Sequence, residues 1–267
     1  DVALKIVKLG MDTWQVIARF EAELQEALAI ERKYLDRDNL ATADTLHKLG
    51  IFLRDSARLD EAKAAYEESL RIRRADLARD PDNPTFARFV IVSLANLYEF
   101  PAAQDRHAEA EVYAREALAI VRRVLPQDKA EHVGGLRRLG RTLAAWERSS
   151  EAEAAFREAF AKGLEIADPR IDQAITGLDR ILVPAGRTGE AAALWQQVID
   201  RCGQLTVAQE AGVFVTHTVG ALNRSGRFAQ SEALAREHLL RWEKSRPEDW
   251  HAFAFRLLIG SALSRQG

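Results

Sequence analysis

Cysteine is nearly missing: the 267 residues hold one, Cys202, so no internal disulfide forms and a reducing, cytoplasmic setting is expected. Excess charge is missing too. Lys and Arg number 38 against 40 Asp and Glu, a net charge of −2, which lacks the basic field of a general nucleic-acid binder. Long apolar runs are absent. The longest candidate, Phe86 to Tyr98, is interrupted by Arg88, Ser93 and Asn96, whereas a membrane span needs about 20 apolar residues. The partner expected is therefore neither nucleic acid nor membrane. No secretory signal is visible, and the chain opens on Asp1 instead of Met, so the natural start is expected to lie upstream.

Site chemistry is equally sparse. The six histidines show no His-Glu-x-x-His spacing, so no metal and no other cofactor is expected. Gly186-Arg187-Thr188-Gly189 lacks the lysine of a phosphate-binding loop and reads as a turn. Cys202 has no histidine at motif spacing and reads as a small buried apolar residue instead of a nucleophile. The five tryptophans, Trp14, Trp146, Trp195, Trp242 and Trp250, read as interhelical packing residues.

What the chain has is repetition. Glu61-Ala62-Lys63-Ala64-Ala65-Tyr66-Glu67-Glu68-Ser69-Leu70 returns at Glu109–Leu118 and again at Glu151–Phe160. Diverged copies start at Glu190 and Gln230, and an earlier one at Glu21. Successive intervals from Ala62 are 48, 42, 39 and 40 residues, the mark of one design joined by loops of variable length. Each block is rich in Ala, Glu, Leu and Arg and carries apolar residues at three- and four-residue spacing (Ala62, Ala65, Tyr66, Ser69, Leu70, then Arg73), an amphipathic helix. A second helical segment precedes each block, with Gly50, Ala95, Gly140 and Gly260 as small residues where the two helices of a pair are expected to cross closely. Asp80-Pro81-Asp82-Asn83-Pro84, Pro126-Gln127-Asp128, Asp168-Pro169 and Arg246-Pro247 punctuate the units.

Residues 41–83 resemble a tetratricopeptide repeat of the longer, kinesin-light-chain type: a small residue in the first helix, an Ala in the second, an aromatic four residues later, and a Pro-bearing exit. The resemblance runs from about Leu24 to Gly267. It implies an all-α fold, a right-handed α-solenoid of tetratricopeptide-type helix hairpins. Three departures stand out. Pro184 falls in the first helix of the fourth unit and is expected to shorten or kink it. Val219 stands where the fifth unit should carry its small residue, with Gly220 beside it. The last unit ends after one helix, which reads as a truncated repeat.

Residues 1–23 are expected to form a separate remnant. Val2-Ala3-Leu4-Lys5-Ile6-Val7-Lys8 reads as a short strand, followed by Gly10 and a helix from about Thr13. With that helix it resembles the N-lobe of bacterial, eukaryote-like serine/threonine protein kinases, which implies vestigial ATP-site roles for Lys5 and Glu23. The Gly-rich loop, His-Arg-Asp, Asp-Phe-Gly and Ala-Pro-Glu motifs of such kinases are not in the sequence, so no catalytic residue and no kinase activity is expected of this chain. The alternative is a fragment of an active kinase whose catalytic lobe lies elsewhere.

Function then falls to the surface. Stacked hairpins line an inner groove with their first helices, and positions three before and one after the small residue should face it. These are His47 and Ile51, Val92 and Asn96, Arg137 and Arg141, and Thr216 with Gly220. Arg137, Arg138 and Arg141 cluster on adjacent turns. Such arginines either take a carboxylate of a peptide in bidentate fashion or pair with nearby glutamates. The expected function is a non-catalytic scaffold that binds a protein or peptide partner in the groove.

Overall fold

The computed structural model describes residues 2–35, 39–205, 209–246 and 248–265, with side chains from residue 18 onward, 209–211 excepted. Twelve α-helices and no strand occur among the described residues. They fall into two compact units, residues 1–125 and 126–267. The first holds α1 (Val2–Tyr34), α2 (Leu40–Asp55), α3 (Leu59–Arg79), α4 (Pro84–Ala103) and α5 (His107–Val124). The second holds α6 (Lys129–Ala145), α7 (Ser149–Ile166), α8 (Ile171–Leu182), α9 (Thr188–Gln204), α10 (Gln209–Arg224), α11 (Phe228–Ser245) and α12 (Trp250–Leu263). Within each unit, neighbours in sequence pack as antiparallel hairpins and each hairpin packs on the next. The architecture is the all-α helical-repeat fold expected from the sequence.

One turn builds five hairpins. The backbone N–H of Arg58, Arg106, Arg148, Arg187 and Arg227 donates to the carbonyl five residues back, each at 2.9 Å. The residue before each arginine (Ala57, Asp105, Glu147, Gly186, Gly226) has φ between 53° and 75°, the left-handed twist that lets this bond close. Four of the arginines then reach three residues forward onto Glu61, Glu109, Glu151 and Glu190, at 2.6–2.7 Å. The carboxylate thus sits in the first turn of the second helix, where the helix dipole favours it. Between hairpins the caps are different. Asn39, Asn83, Asp128 and Asp249 accept backbone N–H groups at the starts of α2, α4, α6 and α12.

The turn fixes register, and register exposes a size rule across each hairpin. Twelve residues before Ala62, Ala110, Ala152, Ala191 and Ser231 stand Gly50, Tyr98, Gly140, Asp179 and Val219. Four residues after them stand Tyr66, Ala114, Phe156, Trp195 and Ala235. Where the first helix has glycine the second has an aromatic ring, where it has Tyr98 or Val219 the second has alanine, and the fourth hairpin pairs Asp179 with Trp195. A Cβ on Gly50 would lie 2.8 Å from the Tyr66 ring, and one on Gly140 2.8 Å from the Phe156 ring. Asp179 accepts the Trp195 indole N–H at 3.3 Å. Ala95 is therefore not the small crossing residue of its hairpin. Tyr98 holds that place, buried, with alanine across. Gly260 is exposed, and nothing lies within 4 Å of a Cβ built on it, so it makes no close crossing either.

Two other expectations change. The run Val2–Lys8 is the beginning of α1, which continues unbroken to Tyr34. A lone strand has no neighbour to satisfy its N–H and C=O groups, whereas Ala, Leu and Lys in this run support a helix whose bonds are internal. Trp195 and Trp242 are buried packing residues, but Trp146 and Trp250 are exposed, at 42% and 53%. Trp14 lies outside the described side chains. Cys202 is buried, and burial pushes its thiol up to about 12, which keeps it protonated and inert.

The first unit is pinned by Arg73, which occupies a stripe position of α3 and is 3% exposed. Its guanidinium donates to Asp44 on α2 at 2.7 Å, and on α4 to Ser93 Oγ at 2.8 Å and the Phe89 carbonyl at 3.3 Å. One side chain thereby ties three helices.

Candidate functional site

The second unit contains a cavity of about 950 Å³ between α6, α7, α8 and the turn that follows α8. Pro184 bounds one end of it. Pro184 lacks the N–H that would continue α8, and α8 stops at Leu182 after 12 residues, where the other first helices of hairpins span 16 to 20. Phe156 forms the floor, its ring held between two glycines: a Cβ on Gly140 or on Gly177 would come within 2.8 or 2.6 Å of it. Ala144, Ala145, Ile181 and Pro184 complete the apolar part.

The rim is basic. Arg137 and Arg141 line it from α6, Arg180 from α8 and Arg187 from the turn, against one carboxylate, Glu153. Arg187 clasps Glu153 with two bonds of 2.8 and 2.9 Å, and Arg157 adds a third at 2.8 Å. The Arg187 guanidinium, with Arg157 beside it, holds the Glu153 carboxyl below the ordinary carboxylate range despite its partial burial. Arg137 donates to Gln173 Oε1 on α8, bridging the two first helices. Arg180 is exposed and makes no ion pair among the described residues.

The residues expected from sequence are thus only partly gathered. Arg137 and Arg141 share the cavity. Thr216 lies on α10 and donates its hydroxyl to its own helix, at the Gly212 and Val213 carbonyls. Near it, buried Asp172 joins α8 to α10 by accepting from Arg224 at 2.9 Å, with His217 3.5 Å away. His47 and Ile51 belong to the first unit. His47 is half-buried with its ring 5.5 Å from that of Tyr66, and burial, helped by the Arg73 charge, pushes it down to about 4, so it is neutral at physiological pH. Ile51 lines a shallow apolar hollow of about 390 Å³ with Phe20 and Phe52. Val92 is exposed and Asn96 half-buried, but the hairpin register puts Ala95 and Glu99, not these two, at the positions equivalent to His47 and Ile51. Glu23 pairs with Arg19 on its own helix at 2.9 Å, and the Lys5 side chain lies outside the described residues.

Sequence reasoning missed Thr176 and Arg180. They are the positions three before and one after Asp179, the fourth hairpin's counterpart of Gly50, and both line the cavity. The signal was the arginine-initiated turn at Arg187, which counts back to Asp179 even though Asp179 is not small. Arg187 and Glu153 were missed as well. Among the described residues no group of His, Cys, Asp and Glu is arranged to hold a metal ion, and no helix is long and apolar enough to cross a membrane.

Tetratricopeptide repeat sequence profiles match residues 21–75 and 93–132. The chain contains a tetratricopeptide-repeat region. No curated protein matches the sequence significantly. Among solved structures, the region is similar to BtubC (BKLC) from P. vanneervenii, at 14% identity and a TM-score of 0.52, covering 77% of this chain and 83% of that one. It is also similar to the apo form of RapI, at 8% identity and a TM-score of 0.61, covering 94% of this chain and 70% of that one. At these identities the likeness carries the fold alone. Tetratricopeptide repeats are in general non-catalytic interaction modules.

Proposed function

We propose that the tetratricopeptide region captures a segment of a protein partner in the cavity between α6 and α8, without catalysing a reaction. The observation that carries this reading is the convergence of register and chemistry. Positions picked out by one repeat rule on two successive first helices, Arg137 with Arg141 and Thr176 with Arg180, meet at a single opening with an apolar floor. Arginine forks around such a floor suit a carboxylate-bearing segment, because bidentate bonds to a charged group are short, directional and worth about 1.5–3 kcal/mol each. The apolar floor takes an adjoining side chain and strengthens the pairing by excluding water. A half-open cavity of about 950 Å³ is of the size that holds a ligand.

The test is a pair of substitutions measured against the partner segment. Arg137→Gln together with Arg141→Gln is expected to weaken binding at least tenfold, measured by calorimetry, on a chain that still unfolds cooperatively, its melting temperature lowered only by the loss of the Arg137–Gln173 bridge. Unchanged affinity would remove the site.

A further inference from the structure

We infer that α12 is a self-association surface on which two copies of this chain pair antiparallel; the inference stands on residues outside the cavity and does not depend on the capture reading. Helix α12 buries one face, with His251, Ala252, Phe255, Ile259 and Ala262, and packs on α10 and α11. The opposite face carries Trp250, Phe253, Leu257, Gly260 and Ser264, whose spacing of three, four, three and four holds them on one stripe. Trp250, Phe253 and Leu257 are 53%, 62% and 59% exposed, and nothing lies within 4 Å of a Cβ built on Gly260. A single exposed apolar residue is ordinary. Three on adjoining turns of one helix, two of them aromatic, form the kind of patch that marks a contact.

The occupant follows from how size is distributed along the stripe. Its first half is large, with Trp250, Phe253 and Leu257, and its second half is small, with Gly260 and Ser264. Inside the repeat a glycine on one helix receives a ring from another, as Gly50 receives Tyr66 and Gly140 receives Phe156. On α12 the rings and the glycine share one helix, so neither can cover the other. A second copy running the opposite way, about a two-fold axis near Leu257, lays the rings of each over the small residues of the other, and the contact closes on itself. A parallel copy would set rings on rings and leave the small halves facing each other. Charge selects the same direction. Glu248 stands just before α12 and Arg265 just after it, both exposed and neither in an ion pair among the described residues. Antiparallel pairing brings the Glu248 end of each copy to the Arg265 end of the other, whereas parallel pairing sets like charges together. One helix face buries less than the ~1,600 Å² of a standard interface, so the pairing is weak and reversible.

The experiment is sedimentation velocity on the full chain, from micromolar to near-millimolar concentration, where a monomer–dimer equilibrium is expected. Gly260→Leu is the decisive variant. It adds exposed apolar surface and meets open space in the single chain, so a merely sticky face would associate more strongly. The expected result is the reverse, a dimer at least tenfold weaker, because the leucine fills the space a ring needs. Leu257→Asp should abolish the dimer. At concentrations where the parent chain is monomeric, both variants should melt cooperatively, as it does. Direction is read by cross-linking with a short bismaleimide, since Cys202 is buried. Chains carrying Glu248→Cys and chains carrying Arg265→Cys should cross-link when mixed and much less when alone. A monomer at every concentration, assembly beyond the dimer, a Gly260→Leu dimer as tight as the parent's, or stronger cross-linking of either cysteine variant alone than of the mixture overturns the inference.

Discussion

Gly140→Leu is expected to destabilise the second unit by about 3 kcal/mol, at the upper end of what overpacking costs, because the ring it would strike has nowhere to go. Phe156 is already pressed by Gly140 on its own hairpin and by Gly177 on the next, with Cβ positions on either 2.6–2.8 Å from ring carbons. Phe156→Ala is expected to cost about 4 kcal/mol, since a buried aromatic is lost and a hole is left. The two substitutions together should cost markedly less than their sum, with a coupling of about 2 kcal/mol measured in a denaturation double-mutant cycle. The chain already contains the swapped arrangement: Tyr98 and Ala114 occupy the positions of Gly140 and Phe156 one hairpin earlier, both buried. Additive costs would mean that the two positions do not face one another as the repeat register requires.

Arg73→Ala carries the other large effect, about 3 kcal/mol against folding of the first unit. The estimate comes from the 3–5 kcal/mol typical of removing one partner from a buried pair. It falls at the low end because Asp44, whose side chain is 43% exposed, can return to water once the guanidinium is gone. The buried Ser93 hydroxyl and the Phe89 carbonyl lose a donor in the same step. Arg73→Met, which keeps the stem between the helices, should cost distinctly less than alanine in the same urea titration. Equal losses for the two variants would mean that the packing of the stem contributes nothing and that the charge network alone holds α2, α3 and α4 together.

These two sites show how far the sequence could be read. Repetition at Ala62, Ala110 and Ala152 revealed the hairpins, since a stripe of small and aromatic residues at helical spacing has few other uses. Pro184 announced a shortened helix, and α8 is short. Register was harder. A small residue does not mark every crossing, because what packing conserves is the summed size of two facing side chains, and Tyr98 with Ala114 satisfies that as well as Gly50 with Tyr66. The misplacement at Ala95 carried Val92 and Asn96 with it. The fourth hairpin offered no glycine at all, so Thr176 and Arg180 went unseen, although the arginine at its turn would have located both. At the N-terminus, β-branched residues between Val2 and Val7 suggested a strand, but without a second strand the helix wins because its backbone bonds are local.

The claim that partner capture occurs at the α6–α8 opening is tested most directly by amide hydrogen exchange on the full chain with and without the bound partner segment. Protection is expected at the end of α6, across α8 and through the turn to Arg187, with the exposed surface of α5 around Val112 unchanged. Protection centred on α3 and α5, with α6 and α8 exchanging as in the free chain, would contradict it.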